Sequence, residues 1–135
     1  MGWCFTDEAN NYTRAVLAAL SAQSACVPSV WPLEVGNTLV VMERRRRIDT
    51  EKSEDFLRRL TNLYIDIERE PDGRIFGEIL ALARKHQLST YDASYLDVAL
   101  RRELPLATQD KALMRAAAAW RCSSGILCRD LGAWR

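Results

Sequence analysis

The sequence predicts an α/β fold in which a short parallel sheet is flanked by helices on both faces, and three observations carry that expectation. Stretches with apolar residues at helical spacing alternate with short apolar runs that suit buried strands. The run 104–108, Leu-Pro-Leu-Ala-Thr, leads into Asp110 and then into an Ala-rich stretch. A carboxylate therefore stands where a strand ends and a helix begins, which is where open α/β sheets build their sites. Finally, the 135 residues contain no linker, internal repeat or low-complexity segment, so one domain over 1–135 is expected.

Taken in order, Asn10 or Asn11 can cap a first helix in which Tyr12, Val16, Leu17 and Leu20 recur at helical spacing. Residues 25–30, ACVPSV, read as a strand, although Pro28 withholds a donor from any ladder. Trp31-Pro32 opens a helix expected to run to 47, because proline suits a first turn. Val35, Leu39 and Met42 line its apolar side. A second amphipathic helix is expected over 50–63, packing through Phe56, Leu57, Leu60 and Leu63. Residues 64–68 alternate in polarity and read as a strand, and Pro71-Asp72-Gly73 as a turn. The stretch 74–85 is expected to be helical, burying Ile75, Ile79 and Leu82.

The richest segment is 88–113, LSTYDASYLDVALRRELPLATQDKAL. Ser89 or Thr90 can cap a helix, and Ser89-x-x-Asp92 approximates a capping box with Asp in place of Glu or Gln. Tyr91, Tyr95, Val98 and Ala99 share its expected inward face, and Arg101 and Arg102 close it, where cations complement the dipole. Asp97, five residues beyond Asp92, is read as a surface residue. The 104–108 strand follows, then a helix over 111–120 and an edge strand at 125–128.

Composition narrows the classes. No apolar run reaches the length of a membrane span, and no basic, then hydrophobic leader opens the chain, so a soluble cytoplasmic protein is expected. A net charge of +1 makes no global case for nucleic acid. Arginine outnumbers lysine 16 to 3, which suits phosphate contacts but also follows from a GC-rich genome. Arg44 to Arg47 form an unbroken cationic run whose plainest role is dipole compensation at a helix end. The four cysteines show no C-x-x-C spacing, which argues against a zinc site, and the single histidine, His86, is read as a surface residue.

YDASYLDVA followed by LATQDKAL resembles the second half of the PIN-domain family, in particular the VapC-type toxin ribonucleases. WPLEVGNTLVVMERRRRI is similar to that family's first-half helix, with Glu34 and Asn37 three residues apart on one face. The likeness runs from about Trp3 to Trp120 with the segments in the family's order. It implies a PIN-like fold and a Mg²⁺- or Mn²⁺-dependent endoribonuclease that hydrolyses RNA as the toxin of a toxin–antitoxin module. It also implies a VapB-like antitoxin as partner, and a homodimer. Glu34, Asp92 and Asp110 match the family's metal-binding acids, Thr108 a hydroxyl that supports the metal or its water, and Asn37 a supporting polar position. The helices 31–42 and 56–64 are candidate walls of the groove an antitoxin would cover.

Each of these residues also has a structural reading. Glu34 and Asp92 suit the positive end of a helix, and Asp110 suits an N-cap. The two readings coexist, because a carboxylate has two oxygens. Clustered carboxylates repel one another, and burial would raise their pKa values further, so a cation is needed. Oxygen donors without Cys or His favour Mg²⁺ or Mn²⁺. The family has a fourth acid at the end of an opening strand, whereas GWCFTDEANNYTRAVLAAL resembles the segment after that strand. The expectation is that the strand and its Asp are encoded upstream of Met1; the alternative makes Trp3 to Thr6 the strand and Asp7 the acid. A catalytically impaired homologue that still binds antitoxin or RNA is the competing function.

Overall fold

A computed structural model describes residues 24–123. The expected helix through Tyr12 and Leu20, Asp7, and the 125–128 strand lie outside the described residues. The chain divides into two compact units, which meet in sequence between Ile67 and Glu68.

In the first unit, β1 (Ala25–Pro28) and β2 (Ile65–Glu68, whose last residue begins the second unit) form a short parallel sheet. The Ala25 amide donates to the Tyr64 carbonyl at 2.9 Å, at the entry to the pairing. The crossover between them carries α1 (Trp31–Arg44) and α2 (Thr50–Leu60). Parallel neighbours need such a crossover, since a hairpin cannot join them. Helix α1 starts without a capping side chain: Val30 supplies only its carbonyl, to the Leu33 and Glu34 amides, and Pro32 has no amide to satisfy. Val35, Leu39 and Met42 are its buried residues, as their spacing predicts. Helix α2 is capped by Asp49, whose Oδ1 accepts the Lys52 amide at 2.9 Å. Its expected apolar face is corrected in part: Leu57 is exposed, and the buried residue is Ser53.

In the second unit the expected turn at Pro71-Asp72-Gly73 is instead a helix start, with extended Pro71 preceding α3 (Asp72–Arg74). A π-helical turn (Ile75–Ile79) follows, then α4 (Leu80–His86). The Leu80 amide reaches back to the Ile75 carbonyl, the i→i+5 pairing of a π turn. Helix α5 (Thr90–Arg101) packs on the π turn and α4, and α6 (Lys111–Ser123) packs on α5. One core cluster joins Ile79, Ala83 and Ala93; another joins Leu96, Leu113 and Ala116, with Leu106 and Tyr95 packed against it. Truncating Leu96 there would cost about 2–5 kcal/mol.

Three readings change in this unit. Residues 104–110 form no strand: Leu104 and Pro105 are exposed, and only Leu106 reaches the core. A strand exists by pairing, no described strand pairs with this segment, and Pro105 lacks a donor. On α5, Tyr91 is exposed, and the buried set is Ala93, Ser94, Leu96, Asp97 and Val98. His86 is half-buried rather than fully exposed: its Nε2 is buried with no hydrogen-bond partner among the described residues, where the chain reverses at Gln87 and returns Leu88 to the core. No helix among the described residues is long and apolar enough to cross a membrane.

Candidate functional site

In the first unit, Glu34 sits in the first turn of α1, where the helix dipole favours an anion. Its carbonyl accepts the Thr38 hydroxyl at 2.8 Å. Asn37, one turn on, is exposed.

In the second unit, Ser89 caps α5. Its Oγ accepts the Asp92 amide at 3.0 Å and donates to Asp92 Oδ2 at 2.8 Å. This departs from a full capping box, in which the third residue's side chain returns to the cap's own amide. Aspartate is one methylene shorter than glutamate, and its carboxylate stops at the serine hydroxyl. Asp92 Oδ1 has no protein partner among the described residues.

Asp110 caps α6 by accepting the Leu113 amide on Oδ1 at 2.8 Å, while its own amide donates to Thr108 Oγ1 at 3.1 Å. Thr108 and Asp110 are thus brought together in one tight turn, and Leu113 anchors that turn in the core. The Thr108 hydroxyl, used as an acceptor, keeps its proton to donate. Asp110 uses one carboxylate oxygen to start a helix, Asp92 gives one to the serine that caps its helix, and the other oxygen of each has no hydrogen-bond partner among the described residues. Both structural readings of these acids are therefore realised without excluding the functional one.

Asp97 departs most from expectation. It is 2% exposed, with Arg74 and Arg101 on both of its oxygens. Arg74 Nε donates to Oδ2 at 3.0 Å and Nη2 to Oδ1 at 2.7 Å, and Arg101 Nε adds a bond to Oδ2 at 2.8 Å. Burial pushes this carboxyl up, but the hydrogen bonds and charges of the two arginines outweigh it and hold the group below its ordinary value. Arg101 continues to Glu68, which also takes Arg102 Nε at 3.0 Å. The i, i+4 spacing of Asp97 and Arg101 was a legible signal for half of this cluster. Arg74 lies 23 residues away and gave none. A cavity of about 420 Å³ opens beside the cluster, between Arg74, Lys85, Leu100 and Trp120, and includes none of the five expected site residues.

Asp92, Asp110 and Thr108 each offer only oxygen donors, a type that suits a hard divalent cation rather than zinc. Among the described residues, neither unit by itself gathers three Asp, Glu, His or Cys side chains into a metal-binding group. Cys26 is half-buried and forms no disulfide with another described residue.

A sequence model described as the PIN domain matches residues 3–119, and the chain belongs to that family. PIN domains form a nuclease superfamily of generally metal-dependent hydrolases that use Mg²⁺ or Mn²⁺. Comparison with curated proteins found no match, and comparison with solved structures found none.

Proposed function

We propose that this chain is a Mg²⁺- or Mn²⁺-dependent endoribonuclease of the VapC type, the toxin of a toxin–antitoxin pair, acting in the cytoplasm. The observation that carries the reading is the turn in which Asp110 and Thr108 meet at the start of α6. It presents an open carboxylate oxygen and a donor-ready hydroxyl at a fixed position. Asp92, locked by Ser89, offers the same half-used carboxylate at the start of α5. Glu34, Asp92 and Asp110 would hold the ion, with Asn37 and Thr108 orienting water and phosphate by hydrogen bonds. A bound ion of this kind supplies Lewis acidity, which activates water near neutral pH and offsets charge developing on the phosphoryl group. The partners on this reading are the RNA substrate, a VapB-like antitoxin and a second copy of the chain.

The test is manganese-dependent cleavage of RNA by the native chain and by Asp92→Asn and Asp110→Asn. Loss of a ligand is expected to lower the rate by about 100-fold, equivalent to some 2.7 kcal/mol at the transition state. Equal rates in all three proteins would refute the assignment. Binding offers a separate check. At a hundredfold excess of Mn²⁺ over Kd the native chain should gain about 2.7 kcal/mol of stability, and the double variant should gain none.

The competing reading, a non-catalytic module that binds RNA or antitoxin, draws on the lack of a three-acid group within either unit among the described residues. It predicts no cleavage by the native chain while RNA binding persists.

A further inference from the structure

We infer that the arginine run at the end of α1 is a phosphate-binding anchor for single-stranded RNA, an inference that rests on the RNA reading above. Arg44 to Arg47 are all exposed, and the run is the longest unbroken series of cations in the chain. Four of the other described arginines are tied to carboxylates: Arg58 to Asp55, Arg74 and Arg101 to Asp97, and Arg102 to Glu68. Among the described residues Arg44, Arg45 and Arg46 make no ion pair, although Glu43, Asp49 and Glu51 flank the run. Asp49 is instead committed to capping α2.

Dipole compensation explains only part of this arrangement. Cations help a helix within its last turn, and Arg46 and Arg47 stand beyond it. The helix closes with a Schellman motif, the Arg46 amide bonding to the Glu43 carbonyl at 2.8 Å and the Arg47 amide to the Met42 carbonyl at 3.0 Å. Arg46 occupies its left-handed position at φ 54°, where glycine is the ordinary residue. A charged side chain is thus held at a backbone position that disfavours it. Arg44, Arg45 and Arg46 are exposed around this reversal, each carrying a planar fork matched to phosphate oxygens. A flexible single strand can lay successive phosphates across such a reversal. The sequence-independent attraction is of the kind that supplies non-specific nucleic-acid binding.

The test measures binding of a fluorescein-labelled oligouridine by anisotropy across a potassium chloride series. EDTA is present throughout, so that no metal-dependent cleavage intervenes. The native chain is compared with Arg44→Gln/Arg45→Gln/Arg46→Gln and with the corresponding triple lysine variant. Each phosphate contact contributes about 0.7 to the slope of log K against log salt for a single strand. The glutamine variant should therefore lose about 2 from the slope and bind on the order of tenfold more weakly. The lysine variant should keep the slope, because charge supplies it. An unchanged slope in the glutamine variant overturns the inference, as does a native chain that binds no oligouridine. So does unchanged RNA binding accompanied by loss of an acidic protein partner. The two readings fail separately. A native chain that cuts RNA with a slope indifferent to these arginines refutes the anchor alone. Arginine-dependent binding by a chain that never cuts refutes the nuclease alone and supports the anchor.

Discussion

Helix α5 carries aspartates five residues apart, one in its first turn and one past its middle, and the fold uses them in opposite ways. At the first turn, Asp92 takes one hydroxyl bond from Ser89 and leaves an oxygen open, half-exposed. One turn and a half later, Asp97 is 2% exposed and accepts three hydrogen bonds from two arginines. Only the second is spent on holding the unit together. The first is held in the first turn by its bond to Ser89, so position relative to the core, not residue type, separates the two surroundings.

The sharpest way to break this comparison is to remove the charge at each position. Asp97→Asn leaves Arg74 and Arg101, each about a quarter exposed, against a neutral amide at a buried position, and losing these charge-assisted bonds should cost about 2–3 kcal/mol. The melting temperature should fall by roughly 10 °C or more. Asp92→Asn should cost under about 1 kcal/mol while removing metal-dependent cleavage. Similar destabilisation in the two variants would erase the distinction. The pH dependence carries the same contrast. Because the folded carboxyl of Asp97 is held below its unfolded value, its contribution is complete above about pH 4 and is lost as pH falls through the folded pKa. Acid melts of the native chain should therefore fall more steeply below about pH 4 than those of Asp97→Asn.

How much of this was legible in the sequence follows from range. β1, both helices of the first crossover, the Ser89 cap and the Val35, Leu39 and Met42 face follow from spacing within a few residues. The Asp110 cap and its link to Thr108 lie within three residues of each other and were equally readable. The 104–108 run misled because apolar content alone does not supply a pairing neighbour. In sequence Asp97 reads as a surface residue, because its main partner, Arg74, is brought to it only where the segment through the π turn packs on α5. The π turn itself has no period that separates it from an α-helix in sequence.

Glu68 offers a smaller perturbation of the braced end. Its carboxylate joins Arg101 and Arg102, so Glu68→Gln should cost about 1–2 kcal/mol, less than Asp97→Asn because the group is nearer to solvent. Thermal melts of the two single variants and the double would show coupling through Arg101. Strict additivity would mean that the arginine does not link them. At the opposite end, Ser89→Ala removes the cap and should cost about 1 kcal/mol. It should also lower the cleavage rate, since Asp92 loses the bond that orients it. A rate unchanged by Ser89→Ala would separate the cap from the site.

The smallest effect concerns how α5 stops. The Glu103 amide bonds to the Leu100 carbonyl at 3.3 Å and the Leu104 amide to the Ala99 carbonyl at 2.9 Å, a Schellman closure with Glu103 in its left-handed position at φ 53°. A side chain there costs about 1–2 kcal/mol in backbone crowding, whereas glycine costs about 0.5–1 kcal/mol in unfolded-state entropy. Glu103→Gly should therefore stabilise the unit by about 0.5–1 kcal/mol. Its carboxylate is exposed and also faces the negative end of the dipole, so removing it adds a few tenths of a kcal/mol. Glu103→Ala isolates that electrostatic part, because alanine keeps the crowding. Urea midpoints should therefore rank glycine above alanine and alanine above native. Equal midpoints for the alanine and glycine variants would mean that the left-handed residue carries no strain at this end of α5. The contrast would then rest on the aspartates alone.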